Sequence, residues 1–235
     1  MLRNKLVRLS LFTLGLMLSS TAMSLPKESS AVFDVTRNGT SVGYLESTLK
    51  YFGPTYEYNK LTQSTGLARF LTKASIVEKS AGKLSGQRLI PVSYSFNQKT
   101  RKKTVAEKAR FAGDRVSGMY KDNAYSLQVP ANILDRASLE LAVARDLELN
   151  LPRLQYNVME RGQVKQYVFA RLGNERLKTA AGVFNTIKVE VQRKDKSRKT
   201  TYWMAKELTY LPVKMIHEDD GNVIGSVIRQ FTIKP

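Results

Sequence analysis

Residues 179–231 decide the fold: TAAGVFNTIKVEVQRKDKSRKTTYWMAKELTYLPVKMIHEDDGNVIGSVIRQF. Here Ile187, Val189 and Val191 alternate with Lys188, Glu190 and Gln192, the period of two that a half-buried strand requires. Thr201–Ala205 is aromatic and β-prone and predicts a second strand, with Trp203 in its core-facing set. Val213, Met215 and His217 are expected on one face of a third strand, and Val223, Val227 and Ile233 on one face of a fourth. Asp220-Gly221 separates the last two and suits a type I′ turn, whose two central residues both need positive φ.

The same pattern extends upstream. Ala31–Arg37 and Ser41–Lys50 flank Asn38-Gly39, a second hairpin signal, and Thr55–Gln63 continues the alternation after Phe52-Gly53-Pro54. Residues 65–71 read equally as a helical turn or the start of a strand. Further strands are predicted at 75–79, 89–96, 105–111, 116–120, 125–129, 153–159 and 164–172. Pro91 marks its strand as an edge there, or as beginning there, because proline donates no ladder hydrogen bond. One helix is predicted near residues 132–147, capped by Asn132 or Asp135, with Leu134, Ala137, Leu141 and Ala144 at helical spacing. The fold class that follows is mainly β (α+β). About a dozen antiparallel strands, joined in order by short turns, must curve into a half-barrel or flattened barrel.

Residues 1–24 carry Arg3, Lys5 and Arg8, then the apolar run LSLFTLGLML, then Ala22-Met23-Ser24. This is the pattern of a secretory signal peptide cleaved near Ser24, leaving residues 25–235 as a single domain in a bacterial periplasm. The apolar run is about ten residues, half of what a bilayer span needs, and no other run is longer. The 235-residue chain has a formal charge of +18, and losing Arg3, Lys5 and Arg8 leaves +15. Such an excess steers anionic partners toward the surface. In a periplasm these are lipid head groups, glycolipid phosphates or an acidic envelope protein, and nucleic acid is not expected. Cysteine is absent, which removes disulfides, thiolate metal sites and thiol nucleophiles together.

Several pieces resemble the DUF3108 domain, a family of exported bacterial proteins of unknown function. They are Asn38-Gly39 with Val42-Gly43, Leu134–Leu139, Tyr167-Val168-Phe169, and Trp203-Met204-Ala205 followed by Tyr210-Leu211-Pro212-Val213. The resemblance covers roughly residues 31–233; Gln87–Pro91 departs from its pattern. It implies a periplasmic location and an antiparallel β architecture, with no established catalytic residues. A looser similarity links the final strands to periplasmic half-barrel carriers of lipoproteins, in which a curved sheet wraps a cavity that takes up acyl chains. By that analogy the predicted helix is a lid or plug.

Recognised chemistry is sparse. His217 is the sole histidine, which excludes a multi-histidine metal site, and no nucleophile elbow or glycine-rich phosphate loop is present. Glu218, Asp219 and Asp220 beside it read as a solvated hairpin end. No cofactor and no metal is expected. Two basic clusters stand out at hairpin tips: Lys99, Arg101, Lys102 and Lys103, and Arg193, Lys194, Lys196, Arg198 and Lys199. On one rim they would form a collar for phosphates or carboxylates. Two function classes follow. The first is a non-enzymatic carrier holding a lipid, lipoprotein or glycolipid in a β cavity beneath the helix. The second is an interaction protein docking by its basic surface on the envelope or on an acidic partner. A glycan-modifying enzyme ranks third and would need convergent carboxylates.

Overall fold

The computed structural model describes residues 25–195 and 197–234; the expected signal peptide and Lys196 lie outside them. One continuous sheet of fifteen strands dominates. Its first meander is β1 (Ser29–Arg37), β2 (Thr40–Phe52), β3 (Thr55–Ser64), β4 (Ser75–Ser85), β5 (Arg88–Lys99), β6 (Thr104–Ala112), β7 (Arg115–Tyr120) and β8 (Asn123–Gln128). Its second is β9 (Leu134–Asp135), β10 (Leu154–Glu160), β11 (Gln163–Thr179), β12 (Gly182–Val191), β13 (Arg198–Ala205), β14 (Leu211–Asp219) and β15 (Asn222–Ile233). Helix α1 (Gly66–Thr72) lies between β3 and β4, α2 (Arg136–Glu148) follows β9, and Lys206–Leu208 form a 3-10 turn.

The two meanders join where β1 pairs antiparallel with β15, so the spatial order runs from β8 through β1 and β15 to β9. Among the described residues, only the two-residue β9–β10 ladder is parallel. Strands β8 and β9 end the sheet without pairing to each other, so it is a half-barrel and not a closed barrel. The far edges approach through side chains instead: the Gly162 N–H after β10 donates to the Glu107 carboxylate of β6 at 3.3 Å.

Five register shifts bend the sheet. At one, between Ala81 and Gly82, a side chain is impossible: a β carbon on Gly82 would lie 2.3 Å from the Ile90 carbonyl oxygen. Such bulges curl a long sheet and increase its twist. They also overturn two expected faces. A shift beside Arg229 inverts the alternation in β15, so Ile233 joins Ile228 and Phe231 in the core and leaves the Val223–Val227 side. A shift beside Val213 sends that residue into a core cluster, while Met215 and His217 line the interior cleft.

Helix α2 fills the concavity. It begins at Arg136, later than the expected 132, because Leu134 and Asp135 are held in the ladder with β10 and Asn132 has a left-handed backbone (φ 63°). Asp135 is the cap: its carboxylate accepts from the amides of Ala137 and Ser138 at 2.9 and 2.8 Å, and Ser138 Oγ accepts from the Asp135 amide. Ala137, Leu141, Ala144, Ala142, Val143 and Leu147 are all buried, so the helix is embedded on nearly every side and the space beneath it is filled. It touches β4 and β5 in one wing and β10 and β14 in the other. Residues 65–71, ambiguous in sequence, form α1. Pro91 sits in β5 beyond Ser93, where the β6 ladder stops, so the strand is locally an edge. Trp203 is buried beside Phe184, Ala205 and Val213, in a second core formed by β1, the β11–β12 hairpin and the β13–β15 strands.

Candidate functional site

Antiparallel strands alternate direction, so their connections alternate between the two ends of the sheet. The β5–β6 and β12–β13 tips therefore lie at the same end, with the β10–β11 and β14–β15 turns. The Asn38 amide, donating to the Val223 carbonyl at 2.8 Å, ties the β1–β2 turn to the same end. A cleft of about 490 Å³ opens there, above the Leu139–Glu140 side of α2 and between the wings.

Seven cations and four carboxylates line it. Lys60 of β3 pairs with Glu140 of α2 at 2.5 Å, and the Tyr58 hydroxyl donates to the same carboxylate at 3.1 Å. Burial opposes the charge on Lys60, but Glu140 outweighs it and the ammonium is held above its usual range. The Tyr94 hydroxyl donates to Glu78 at 2.6 Å, and Arg136 stands 3.8 Å from that carboxylate while lying over the Phe96 ring. On the opposite wall Glu160 accepts from Tyr167 at 2.8 Å and pairs with Lys165 at 3.1 Å. Burial raises the Glu160 carboxyl, yet Tyr167, Arg136 and Lys165 together hold it below the usual carboxylate range. Burial and Glu160 push the Tyr167 hydroxyl up to about 12.

Arg193 departs from this pairing. Its guanidinium lies 5.9 Å from the Tyr167 ring centroid, and its Nε is buried with no hydrogen-bond partner among the described residues. His217 faces the same space, its Nδ1 at 2.8 Å from the Thr200 hydroxyl. Burial and the neighbouring Arg193 lower its basicity, so it is neutral at pH 7.

The sequence-predicted cations separate into two places. Arg193 and Arg198 line the cleft; Arg198 also pairs with Asp219 at 2.9 Å. Lys194 is exposed, and Lys199 is turned to Glu190 at 3.2 Å. Lys99, Arg101, Lys102 and Lys103 sit elsewhere on the same end, against α1, through the Arg101 amide to the Thr72 carbonyl at 2.8 Å. Sequence reading missed Lys60, Glu78, Arg136, Glu140, Glu160 and Lys165 as cleft residues. A larger depression of about 810 Å³ on the opposite face of β3–β7 is shallow and floored by Ala81, Ser93, Ser95 and Ser117.

The model of a family described as protein of unknown function, DUF3108, matches residues 32–227. The chain belongs to the DUF3108 family. No curated protein matches it. Among solved structures it is similar to a β-barrel-like protein of the DUF1849 domain of unknown function from Brucella abortus. That likeness has a TM-score of 0.61 at 8% identity and covers 90% of this chain and 99% of that one. A candidate lipoprotein from Parabacteroides distasonis aligns at 11% identity and a TM-score of 0.35, over 89% of this chain and 98% of that one. At such identities the first likeness is one of fold alone. Among the described residues, no helix of this DUF3108 chain is long and apolar enough to cross a membrane.

Proposed function

We propose that this DUF3108 chain is a non-enzymatic binding protein of the bacterial periplasm, and that its half-barrel cleft holds the anionic part of an amphiphilic envelope component. The observation that carries the reading is Arg193, a guanidinium aimed into a cleft with three more cations than carboxylates, its Nε buried and unpartnered. A buried donor without an acceptor costs free energy that a bound phosphate or carboxylate returns. Tyr167 and Tyr202 supply flat apolar walls for the adjoining atoms of such a ligand.

The filled core beneath α2 argues against an acyl chain lying under the helix, the arrangement the half-barrel analogy implied. The head group, not the tail, is what the cleft fits. An enzymatic reading gains little from the carboxylates, because Glu140, Glu78 and Glu160 each already have a tyrosine donor and a cation.

The test is native mass spectrometry of the protein purified from its own periplasm without detergent, followed by titration of the recovered ligand into wild type and Arg193→Gln. A co-purifying anionic amphiphile, bound about tenfold more weakly by the variant, supports the reading. An empty protein, or equal binding by both, overturns it.

A further inference from the structure

The four cations of the β5–β6 tip do not face the cleft, and what they stand beside gives them a separate use. Helix α1 buries none of its residues. It exposes Leu67 by 74%, Phe70 by 70% and Leu71 by 60%, the three most exposed large apolar side chains among the described residues. Arg101 welds the tip to this helix: its guanidinium donates to the Phe70 carbonyl at 2.6 Å and lies 5.7 Å from the Phe70 ring centroid. Arg69 and Lys73 come from α1 and its C-cap, and neither residues 64–75 nor residues 97–104 contain a carboxylate. Arg69, Lys73 and Arg101 edge an open depression beside α1, with Ser64 and Ser75 in its wall.

We propose that α1 and the β5–β6 tip form a membrane-docking device, in which Leu67, Phe70 and Leu71 enter the interface of an anionic phospholipid bilayer. Arg69, Lys73, Arg101, Lys102 and Lys103 then hold the lipid phosphates. The chemistry is that of interfacial anchors: exposed apolar side chains at a protrusion, ringed by cations with no acidic residue among them. A protein partner would need a complementary concave surface, whereas a bilayer interface accepts a protrusion of any outline. The anchor lies at the same end of the sheet as the mouth of the cleft, so docking presents that mouth to the head-group layer. The anchoring does not rest on the cleft being a binding site.

The experiment uses the mature protein and two vesicle preparations, phosphatidylethanolamine with phosphatidylglycerol, and phosphatidylcholine alone. Co-sedimentation with the anionic vesicles only, falling with salt, is expected. A Leu67→Ser/Phe70→Ser variant should lose at least about tenfold in partitioning, the order of two buried apolar side chains. Lys102→Gln/Lys103→Gln should lose about fivefold per removed charge. A Phe70→Trp variant reports insertion directly: its added fluorescence should shift to the blue on anionic vesicles and be quenched by brominated acyl chains. The Phe70→Trp signal comes from α1 itself, outside the cleft, which separates this result from the fate of the cleft reading. Vesicle binding with no shift of the Phe70→Trp signal overturns the proposal, since charge alone would then explain it. So does retention on an anionic polymer with no vesicle binding.

Discussion

Lys60 and Glu140 are 80 residues apart in the chain, yet their charges meet at 2.5 Å and tie the wall of the half-barrel to the helix inside it. Their side chains are only 16% and 18% exposed. Removing one partner leaves the other charge without its counter-ion in a poorly solvated place. A fully buried pair would lose 3–5 kcal/mol; allowing for the partial exposure, Glu140→Leu should cost about 2 kcal/mol. Lys60→Met/Glu140→Leu should recover part of that, because both charges go together and only the Tyr58 hydroxyl is left without its acceptor. Urea unfolding of the two variants checks it, and a double variant weaker than the single would contradict it.

Arg193 predicts an opposition between stability and binding. Arg193→Met keeps an unbranched apolar stem against the Tyr167 ring and removes the unpartnered donor, so it should raise stability by about 1 kcal/mol. The same change should weaken anion binding about tenfold. Thermal melts with and without the ligand recovered from the native protein separate the two effects.

Asp135 gives stability a distinct pH dependence. The carboxyl is fully buried, and burial pushes it up to about 6 despite the amides of Ala137 and Ser138 and the Ser80 hydroxyl at 2.6 Å. A raised folded value means the native state holds the proton more tightly than the unfolded chain. The contribution is full below about 3.8 and is lost as pH rises through about 6. Between pH 7 and pH 4, wild type should therefore gain on the order of 2 kcal/mol relative to Asp135→Asn, which keeps a competent cap without the titration. Equal slopes for the two proteins would remove Asp135 as the source.

Gly82 should not tolerate alanine. Its missing β carbon is what lets β4 approach the Ile90 carbonyl and the Tyr56 ring edge, to which an added β carbon would stand at 2.3 and 2.7 Å. Gly82→Ala should lose about 1–3 kcal/mol by overpacking, whereas Gly113→Ala, where nothing lies within 4 Å of the added carbon, has only its positive φ to contend with. Chemical denaturation of the two variants gives the comparison.

The strands were legible because their signal is local. Alternation in Ile187–Val191 and the Asp220-Gly221 turn need no knowledge of distant partners, and β12, β14 and β15 lie where those residues put them. The bulges were not legible. Close approach of two backbones creates them, and one extra residue inverts every face beyond it, which is why Ile233 was placed with Val223. The cleft was half legible. Arg193 announced itself as part of a charge run. Lys60 did not, although Tyr56, Tyr58 and Lys60 alternate in one strand, and a charge in register with buried tyrosines marks an inward position. What it meets, Glu140, is set by how α2 lies in the concavity, and no spacing encodes that.

The pairing of β1 with β15 has a further consequence, for how the sheet comes into being. Ser29 partners Ile233, and the Lys234 amide donates to the Glu28 carbonyl at 3.0 Å, so the first strand made waits for the last. Until β15 arrives, β1 is a nine-residue open edge in the middle of the future sheet, and an open edge recruits whatever strand comes first. If the last strand of a neighbouring chain gets there before its own, the outcome is reciprocal exchange: two molecules trade β15 and close each other's seam. The β1–β15 seam thus carries a hazard that grows with the concentration of chains not yet closed, and it falls on the strand formed first.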